Sequence, residues 1–297
     1  MRSSYCPFVL LASLPLLACP PDRGGDDDGG GGARDAAADA ARDAEPEPEP
    51  DAEVWPDAGI VEDEVIVWAH SAQTLYAFDP RTETVTPVGD FQDPDGNPVD
   101  NMTDLAVDRD GRMLTCSNLA LFSVDPETAV ATQVAVFPID VDVRFYGLTF
   151  LPEGVLDADQ ETLVGATNNG EYYRIDPDTG VSELLGQFSD GYVLSGDIVS
   201  VVGAGTFATV KRNDIDTDVL VDLDPRTGEV TPIGGPIGFV SLFGLGYWRS
   251  RLYGFSSRGE LVEIDVERGT GALVTDQTGA DQFWGAGVTT IAPVGPF

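Results

Sequence analysis

The chain has 297 residues, and its 51 Asp and Glu residues outnumber its 16 Lys and Arg residues, which gives a formal net charge of −35. So many carboxylates repel the phosphates of nucleic acids and the headgroups of anionic membranes, which excludes binding to either through a basic surface. With 34 Gly and 21 Pro residues and 42% hydrophobic residues, the composition predicts an all-β protein rich in turns.

Residues 1–18 have the pattern of an export signal peptide. Arg2 is followed by the apolar run Phe8–Ala18, which is too short to span a bilayer as a helix but long enough for the core of a signal peptide. The run ends in the letters LLAC, closing with Cys19, and this ending resembles the lipobox of bacterial lipoproteins. The resemblance implies cleavage before Cys19, acylation of Cys19, and anchoring in a lipid bilayer at the outer membrane or cell surface.

Residues 19–60 are rich in Gly, Ala, Asp and Pro and show no hydrophobic periodicity. Such a segment cannot bury enough apolar surface to offset its conformational entropy, so it is predicted to be a disordered linker. Repulsion among its carboxylates extends the linker, which would hold the folded part, residues 61–297, away from the lipid anchor.

Residues 61–297 contain one pattern five times. Each copy has an apolar, β-prone stretch that ends in an Asp, followed by a turn whose fullest form is Asp-Pro-x-Thr-Gly. The five aspartates are Asp79, Asp125, Asp176, Asp224 and Asp265. Pro presets φ in such a turn, the Asp side chain accepts hydrogen bonds from the following amides, and Gly takes the left-handed conformation. The pattern therefore predicts that these aspartates cap hairpins and do not form a catalytic array.

A second motif, an apolar strand with Gly or Asp near its start, also occurs once per repeat. Its marker residues are Asp104, Gly147, Asp197, Gly244 and Gly285. The spacing is that of a four-stranded propeller blade. The first turn has no such strand before it, and the last such strand has no turn after it. We therefore predict a five-bladed β-propeller closed by pairing residues 284–293 with residues 64–90, with six blades as the alternative if Leu151–Glu161 contains another hairpin.

The repeats, typified by LYAFDPRT from Leu75, resemble those of bacterial extracellular β-propellers and, loosely, those of quinoprotein-like and surface-layer propellers. The resemblance covers residues 64–294 and implies the fold without an activity. The Gly-His and Trp-Asp pairs of WD40 repeats are absent, as are the tryptophans that recur in each blade of quinone-dependent dehydrogenases. A pyrroloquinoline quinone cofactor is therefore not expected.

The mouth of the central channel is the predicted binding site. If the second motif marks the innermost strands, five side chains converge there, namely Asp104, Tyr146, Asp197, Phe243 and Trp284. Apolar walls with a few polar groups are typical of a pocket, here for a sugar, a peptide segment or a hydrated cation. In the alternative interpretation the aromatic side chains pack between blades and the two aspartates cap strand starts.

Two acidic loops have the oxygen donors that calcium prefers. In the first, Asp93, Asp95, Asn97 and Asp100 alternate with other residues, and residues 213–218 form the second. Neither loop has the length or the terminal Glu of an EF-hand, and Asp-Gly is also a common turn dipeptide. A calcium site and a plain turn are thus both compatible with the sequence.

The remaining reactive side chains indicate no nucleophilic catalysis. Cys116 lies in an apolar strand and is predicted to be buried and structural. His70, the single histidine, ends an apolar strand and is expected at an edge. We therefore predict a lipid-anchored envelope propeller that binds an unidentified protein, peptide or glycan. The alternative is a calcium-dependent hydrolase or lyase, similar to lactonases, with Asp104 and Asp197 at an axial metal site.

Overall fold

The computed structural model describes residues 65–137 and 144–295, which form twenty strands in five four-stranded antiparallel sheets. Each sheet is one blade of a β-propeller. Short segments rich in apolar, β-branched and aromatic residues, separated by Gly, Pro and Asp turns, form such strands, and segments such as Met102–Val107 and Thr162–Thr167 are buried along their whole length.

The four strands of each blade follow one another from the channel outwards. Blade 1 comprises β20 (Gly285–Gly287), β1 (Val67–His70), β2 (Thr74–Asp79) and β3 (Thr84–Asp90). Blade 2 comprises β4 (Met102–Val107), β5 (Met113–Ser117), β6 (Ala120–Val124) and β7 (Ala131–Val136). Blade 3 comprises β8 (Phe145–Leu151), β9 (Thr162–Thr167), β10 (Glu171–Ile175) and β11 (Ser182–Gln187). Blade 4 comprises β12 (Val193–Val201), β13 (Gly205–Lys211), β14 (Val219–Leu223) and β15 (Val230–Pro236). Blade 5 comprises β16 (Leu242–Trp248), β17 (Arg251–Ser256), β18 (Leu261–Asp265) and β19 (Gly271–Thr275).

The first strand of every blade lies on the axis, because β4, β8, β12, β16 and β20 contact one another in a closed ring. Blade 1 joins both ends of the described chain, since β1 pairs antiparallel with β20. The predicted five blades and their closure are thereby confirmed. The six-blade alternative is wrong, because residues 152–161 form turns that connect β8 to β9 within blade 3.

The five repeated aspartates cap turns, as the sequence predicts. In each turn the backbone amide two residues further on donates to the Asp Oδ1 at 2.8–3.0 Å. The fourth residue after each Asp has a left-handed backbone. Three of these are glycines, but Glu83 and Ala129 take the same conformation with φ of 53° and 58°. The turn geometry is therefore imposed by the hairpin even where no Gly is present.

The core lies between neighbouring blades, where apolar side chains of one sheet pack on those of the next. At the closing seam, Phe78 of blade 1 packs edge-on against Tyr253 and Phe255 of blade 5, with ring centroids 4.9 and 5.6 Å apart. This packing joins blade 1, which contains both ends of the described chain, to blade 5. Within the described residues, no helix has the length and apolar character needed to cross a membrane.

Candidate functional site at the channel mouth

Irregular pairing at the start of the inner strands builds the site. The register of β4 against β5 shifts around Thr103, and that of β8 against β9 shifts around Tyr146. A corresponding shift lies around Phe243 in β16, and a longer one between Leu194 and Ile198 in β12. A β-bulge frees a side chain from the alternation of the strand and redirects it, which is why bulges often occur beside binding sites. Four inner strands thus each present an extra residue at the same end of the channel.

These displaced residues surround one cavity of about 310 Å³. Trp284, immediately before β20, completes the ring, so all five blades contribute to it. The cavity is lined by Thr103, Tyr146, Asn168, Leu194, Ser195, Gly196, Lys211, Phe243 and Trp284. The three aromatic residues selected from the sequence therefore lie together at one mouth. The two selected aspartates do not line the cavity.

Asp104 and Asp197 are completely buried, one residue further along β4 and β12 than the lining residues Thr103 and Gly196. Both carboxyl groups collect backbone amides from the inner strands. Asp104 accepts hydrogen bonds from Leu105 and from Leu148 of β8. Asp197 accepts hydrogen bonds from the amides of Ile198, Leu245 and Ala286.

The five donating amides come from β4, β8, β12, β16 and β20, one from each blade. These amides face the axis, where no further strand is available to pair with them, and an unpaired buried amide is costly. Two aspartates thus accept hydrogen bonds from one backbone amide of each of the five blades. In the other three blades the equivalent residue is Gly147, Gly244 or Gly285, and at Gly285 a Cβ would overlap the Asp104 carboxylate.

The two axial carboxyl groups also interact with each other. Burial and the neighbouring carboxylate of Asp197 raise the pKa of Asp104 well above its usual range. Burial raises the pKa of Asp197 to about 7, against the lowering effect of its hydrogen bonds. The pair therefore holds a proton more tightly than an isolated carboxyl group does, because two adjacent buried carboxylates repel each other.

His70 lies beside this pair and was expected at an edge, which is wrong. It is fully buried in β1, which pairs with β2 on one side and β20 on the other. Its Nδ1 lies 2.7 Å from the carbonyl oxygen of Ser71, so this nitrogen carries the proton and donates it. Its Nε2 has no partner and faces the Asp104 carboxyl across Gly285. Burial lowers the pKa of His70 to about 4, which keeps the ring neutral.

The axial pair has little free capacity for a metal, because its oxygens already accept backbone amides. In the first acidic loop, the Asp93 carboxylate accepts hydrogen bonds from the amides of Asp95 and Asn97 and from the Asn97 side chain. Asp100 accepts a hydrogen bond from Gln73. Among residues 65–137 and 144–295, no three His, Cys, Asp or Glu side chains form a group that could hold a metal. Calcium binding stays a prediction.

The far end of the channel is closed by the segment that follows β20. Thr289 donates from its hydroxyl to the Asp108 carbonyl of blade 2, and Thr290 is hydrogen-bonded to Glu161 of blade 3. The carbonyl oxygens of residues 290 and 293 accept hydrogen bonds from Val202 of blade 4 and Arg249 of blade 5. Residues 288–295 are thus fastened to the turns of the four other blades, and the cavity lies at the opposite end.

Two polar residues of the cavity were not found from the sequence. Lys211, at the end of β13, is the single lysine of the chain, and its position is opposite Val193 at the mouth of blade 4. Asn168 lies in the turn between β9 and β10. Neither belongs to an inner strand, so the repeat alone did not indicate them. The rarity of lysine was the available signal for Lys211.

Ser195 is a third polar lining residue that the sequence did not indicate, and it already donates a hydrogen bond. Its hydroxyl donates to the buried Asp218 carboxylate at 2.6 Å, and the other oxygen of Asp218 accepts the Leu242 amide at 2.8 Å. The Ser195 hydroxyl thus donates its proton to a buried carboxylate, and no imidazole lines the cavity beside it.

Of the other predictions about single residues, the one for Cys116 falls within the described residues. Cys116 is buried, as predicted, and burial raises the pKa of its thiol to about 11, which leaves it unreactive at neutral pH. The predicted signal peptide, Cys19 and the linker lie outside the described residues.

No protein-family model matches the chain, and neither does any curated protein. Solved structures do resemble it at low identity. One, described as "The de novo evolutionary emergence of a symmetrical protein is shaped by folding constraints", shares 15% identity over 78% of this chain and 100% of its own, with a TM-score of 0.49. A protein of unknown function from Bacteroides caccae shares 13% identity over 75% of this chain and 98% of its own, with a TM-score of 0.44. A structure described as the Dos1 propeller shares 16% identity over 69% of this chain and 54% of its own, with a TM-score of 0.35. The assignment as a five-bladed propeller therefore rests on the strand pairing of the chain itself.

Proposed function

We propose that this protein is a lipid-anchored binding module of the bacterial cell envelope, in which the propeller takes a small ligand or a ligand segment at the channel mouth. The observation that carries the proposal is the convergence of all five blades on one cavity with three aromatic walls. Aromatic walls around a concave site are typical of ligand pockets, and Tyr146, Phe243 and Trp284, which line this cavity, are all only partly buried.

The geometry favours binding over catalysis. The hydroxyl of Thr103 is hydrogen-bonded to the Cys116 carbonyl, which is not a base, and no imidazole lines the cavity beside Ser195. The axial carboxyl groups lie behind the lining and are occupied by backbone amides. A calcium-dependent hydrolase would need open oxygen ligands at this position.

Binding is tested by ligand-observed NMR with a panel of small aromatic acids, amines, neutral amides and monosaccharides added to the purified protein. Binding by at least one class that is lost in Trp284→Ala and kept in Leu273→Ala is expected. Leu273 is a matched control because it is half exposed on the outer strand β19, away from the cavity. If no member of the panel binds, or if Trp284→Ala binds as the unaltered protein does, the cavity is not the binding site.

The anchor is tested separately by labelling cells that produce the chain with a radioactive fatty acid. Label in the protein and its recovery in the membrane fraction are expected, and both should be lost in Cys19→Ala. Release of an unlabelled, soluble protein from cells producing the unaltered chain would contradict the lipid anchor and leave the binding proposal standing.

A further inference from the structure

We infer that the ligand taken by the channel-mouth cavity carries a carboxylate on an aromatic body. This inference rests on the proposed function, since it names the chemical class of ligand for the same cavity. The first observation is the contrast between the cavity and the rest of the molecule. The chain has a net charge of −35, yet the nine lining residues include no Asp or Glu.

The second observation is the position of Lys211. The chain has one lysine in 297 residues, and that lysine lines this cavity. Its side chain is exposed, and within the described part of the chain no carboxylate lies within ion-pair distance of it. The nearby Asp218 is buried and uses its two oxygens for Ser195 and the Leu242 amide. The ammonium group of Lys211 therefore keeps its donors for a ligand.

The arrangement of polar groups around the aromatic walls supports the same ligand class. Asn168 lines the cavity from the turn of blade 3, and Lys211 lines it from the edge of blade 4. An amide donor and an ammonium donor on neighbouring blades suit the two oxygens of one carboxylate. The walls formed by Tyr146, Phe243 and Trp284 suit a flat, apolar body, since aromatic rings pack edge-on or offset against one another.

The alternatives fit the cavity less well. A cation would be attracted by the aromatic faces but repelled by the ammonium of Lys211, and the lining offers it no carboxylate. A sugar needs several hydrogen-bonding side chains, whereas Ser195 and Thr103 already donate elsewhere. A cavity of about 310 Å³ is at the small end of ligand sites, which favours a small molecule or a single end group.

The test compares phenylacetate, phenylacetamide and phenethylamine, which share a ring and differ in charge. Dissociation constants are measured by calorimetry or ligand-observed NMR on the unaltered protein, on Lys211→Met and on Arg258→Met. Lys211→Met keeps an apolar side chain of similar length, and Arg258→Met removes one positive charge from a residue that does not line the cavity.

We expect phenylacetate to bind more tightly than phenylacetamide and phenethylamine. In Lys211→Met, phenylacetate should bind at least about tenfold more weakly, while phenylacetamide changes by less than about twofold. Raising the salt concentration should weaken phenylacetate binding and leave phenylacetamide binding unchanged, and Arg258→Met should behave as the unaltered protein does.

Equal binding of all three compounds, tighter binding of the amine, or an unchanged affinity for phenylacetate in Lys211→Met would overturn the carboxylate inference. Each of these outcomes would leave the cavity as a binding site and so spare the proposed function. If none of the three compounds binds while a monosaccharide of the wider panel does, the inference is also overturned and the proposed function stands. Loss of binding for the whole panel would overturn both.

Discussion

The two axial carboxyl groups should make the free energy of unfolding depend on pH, and replacing both of them should remove this dependence. We consider the double variant Asp104→Asn/Asp197→Asn. The pair offers four carboxyl oxygens to five buried amides, whereas two Asn side chains offer only two carbonyl oxygens. At least two amides lose their acceptor, at about 1–3 kcal/mol each, so the variant should be destabilised by about 2–6 kcal/mol at pH 5.

The sign of the pH dependence follows from the direction of the pKa shifts. The folded-state pKa values of Asp104 and Asp197 are raised, so the folded protein holds protons that the unfolded chain has released above about pH 4. The stability from these protons is present at low pH and is lost as the pH rises towards the folded pKa of about 7 for Asp197. Each such proton is worth about 1.4 kcal/mol per pH unit.

The free-energy difference between the unaltered protein and the variant should therefore shrink as the pH rises from 5 to 7, by about 1.4 kcal/mol per pH unit for each proton that only the folded protein holds. His70, with a pKa lowered to about 4, contributes the opposite slope between about pH 4 and 6.5 in both proteins, because burial, the main cause of its shift, remains in the variant. Urea unfolding at four pH values from 5 to 8 measures the effect.

The matched control is Asp222→Asn, which changes an exposed aspartate of β14 and should alter stability by less than about 0.5 kcal/mol at each pH. The reasoning would be refuted by a difference between the unaltered protein and the double variant that stays constant from pH 5 to pH 8. A loss below about 1 kcal/mol at pH 5 would refute the role of the pair in satisfying the axial amides.

Four further outcomes can be measured on the same protein. Glu83→Gly should raise stability by about 1 kcal/mol, because Glu83 has a left-handed backbone with φ of 53°, whereas Glu127→Gly should not raise it. Gly196→Ala should cost more than about 3 kcal/mol or prevent folding, because its Cβ would overlap a backbone carbonyl of blade 5, whereas Gly235→Ala has open space and should cost less than about 1 kcal/mol. Cys116, with a pKa raised to about 11, should react with a thiol reagent at pH 8 only after denaturant is added. Calcium and magnesium at equal ionic strength should shift the melting temperature equally, and a larger shift with calcium alone would indicate a specific site.

The architecture could be predicted from the sequence because its determinants are local and repeated. The Asp of each turn accepts the amides that follow it within the same hairpin, so the turn at Asp176 is defined by residues 176–180 alone. The closure of the propeller ring followed from counting strands, because the first repeat lacked its inner strand and the last repeat lacked its outer strands. Neither inference needed the position of any distant residue.

The site could be predicted only in part, because the outcome depends on strand register. Tyr146 and Phe243 were selected since each precedes the marker glycine of its motif, and both lie at the cavity. Asp104 occupies the marker position itself, and the bulge around Thr103 turns Thr103 to the cavity and leaves Asp104 on the axis. A bulge of one residue decides which of two consecutive side chains faces the cavity and which faces the axis. The sequence of a single strand does not reveal such a bulge.

The position of Lys211, on which the proposed ligand class depends, could not be predicted from the repeat. Lys211 ends the second strand of its blade, and it reaches the channel mouth because β12 and β13 pair across a long irregularity between Leu194 and Ile198. The same irregularity brings Ser195 and Gly196 into the lining and Asp197 onto the axis. Blade 4 therefore supplies two of the polar lining residues, Ser195 and Lys211, whereas blades 2 and 3 supply one each, Thr103 and Asn168. The proposed recognition of a carboxylate thus depends on the blade whose inner strand departs most from regular pairing.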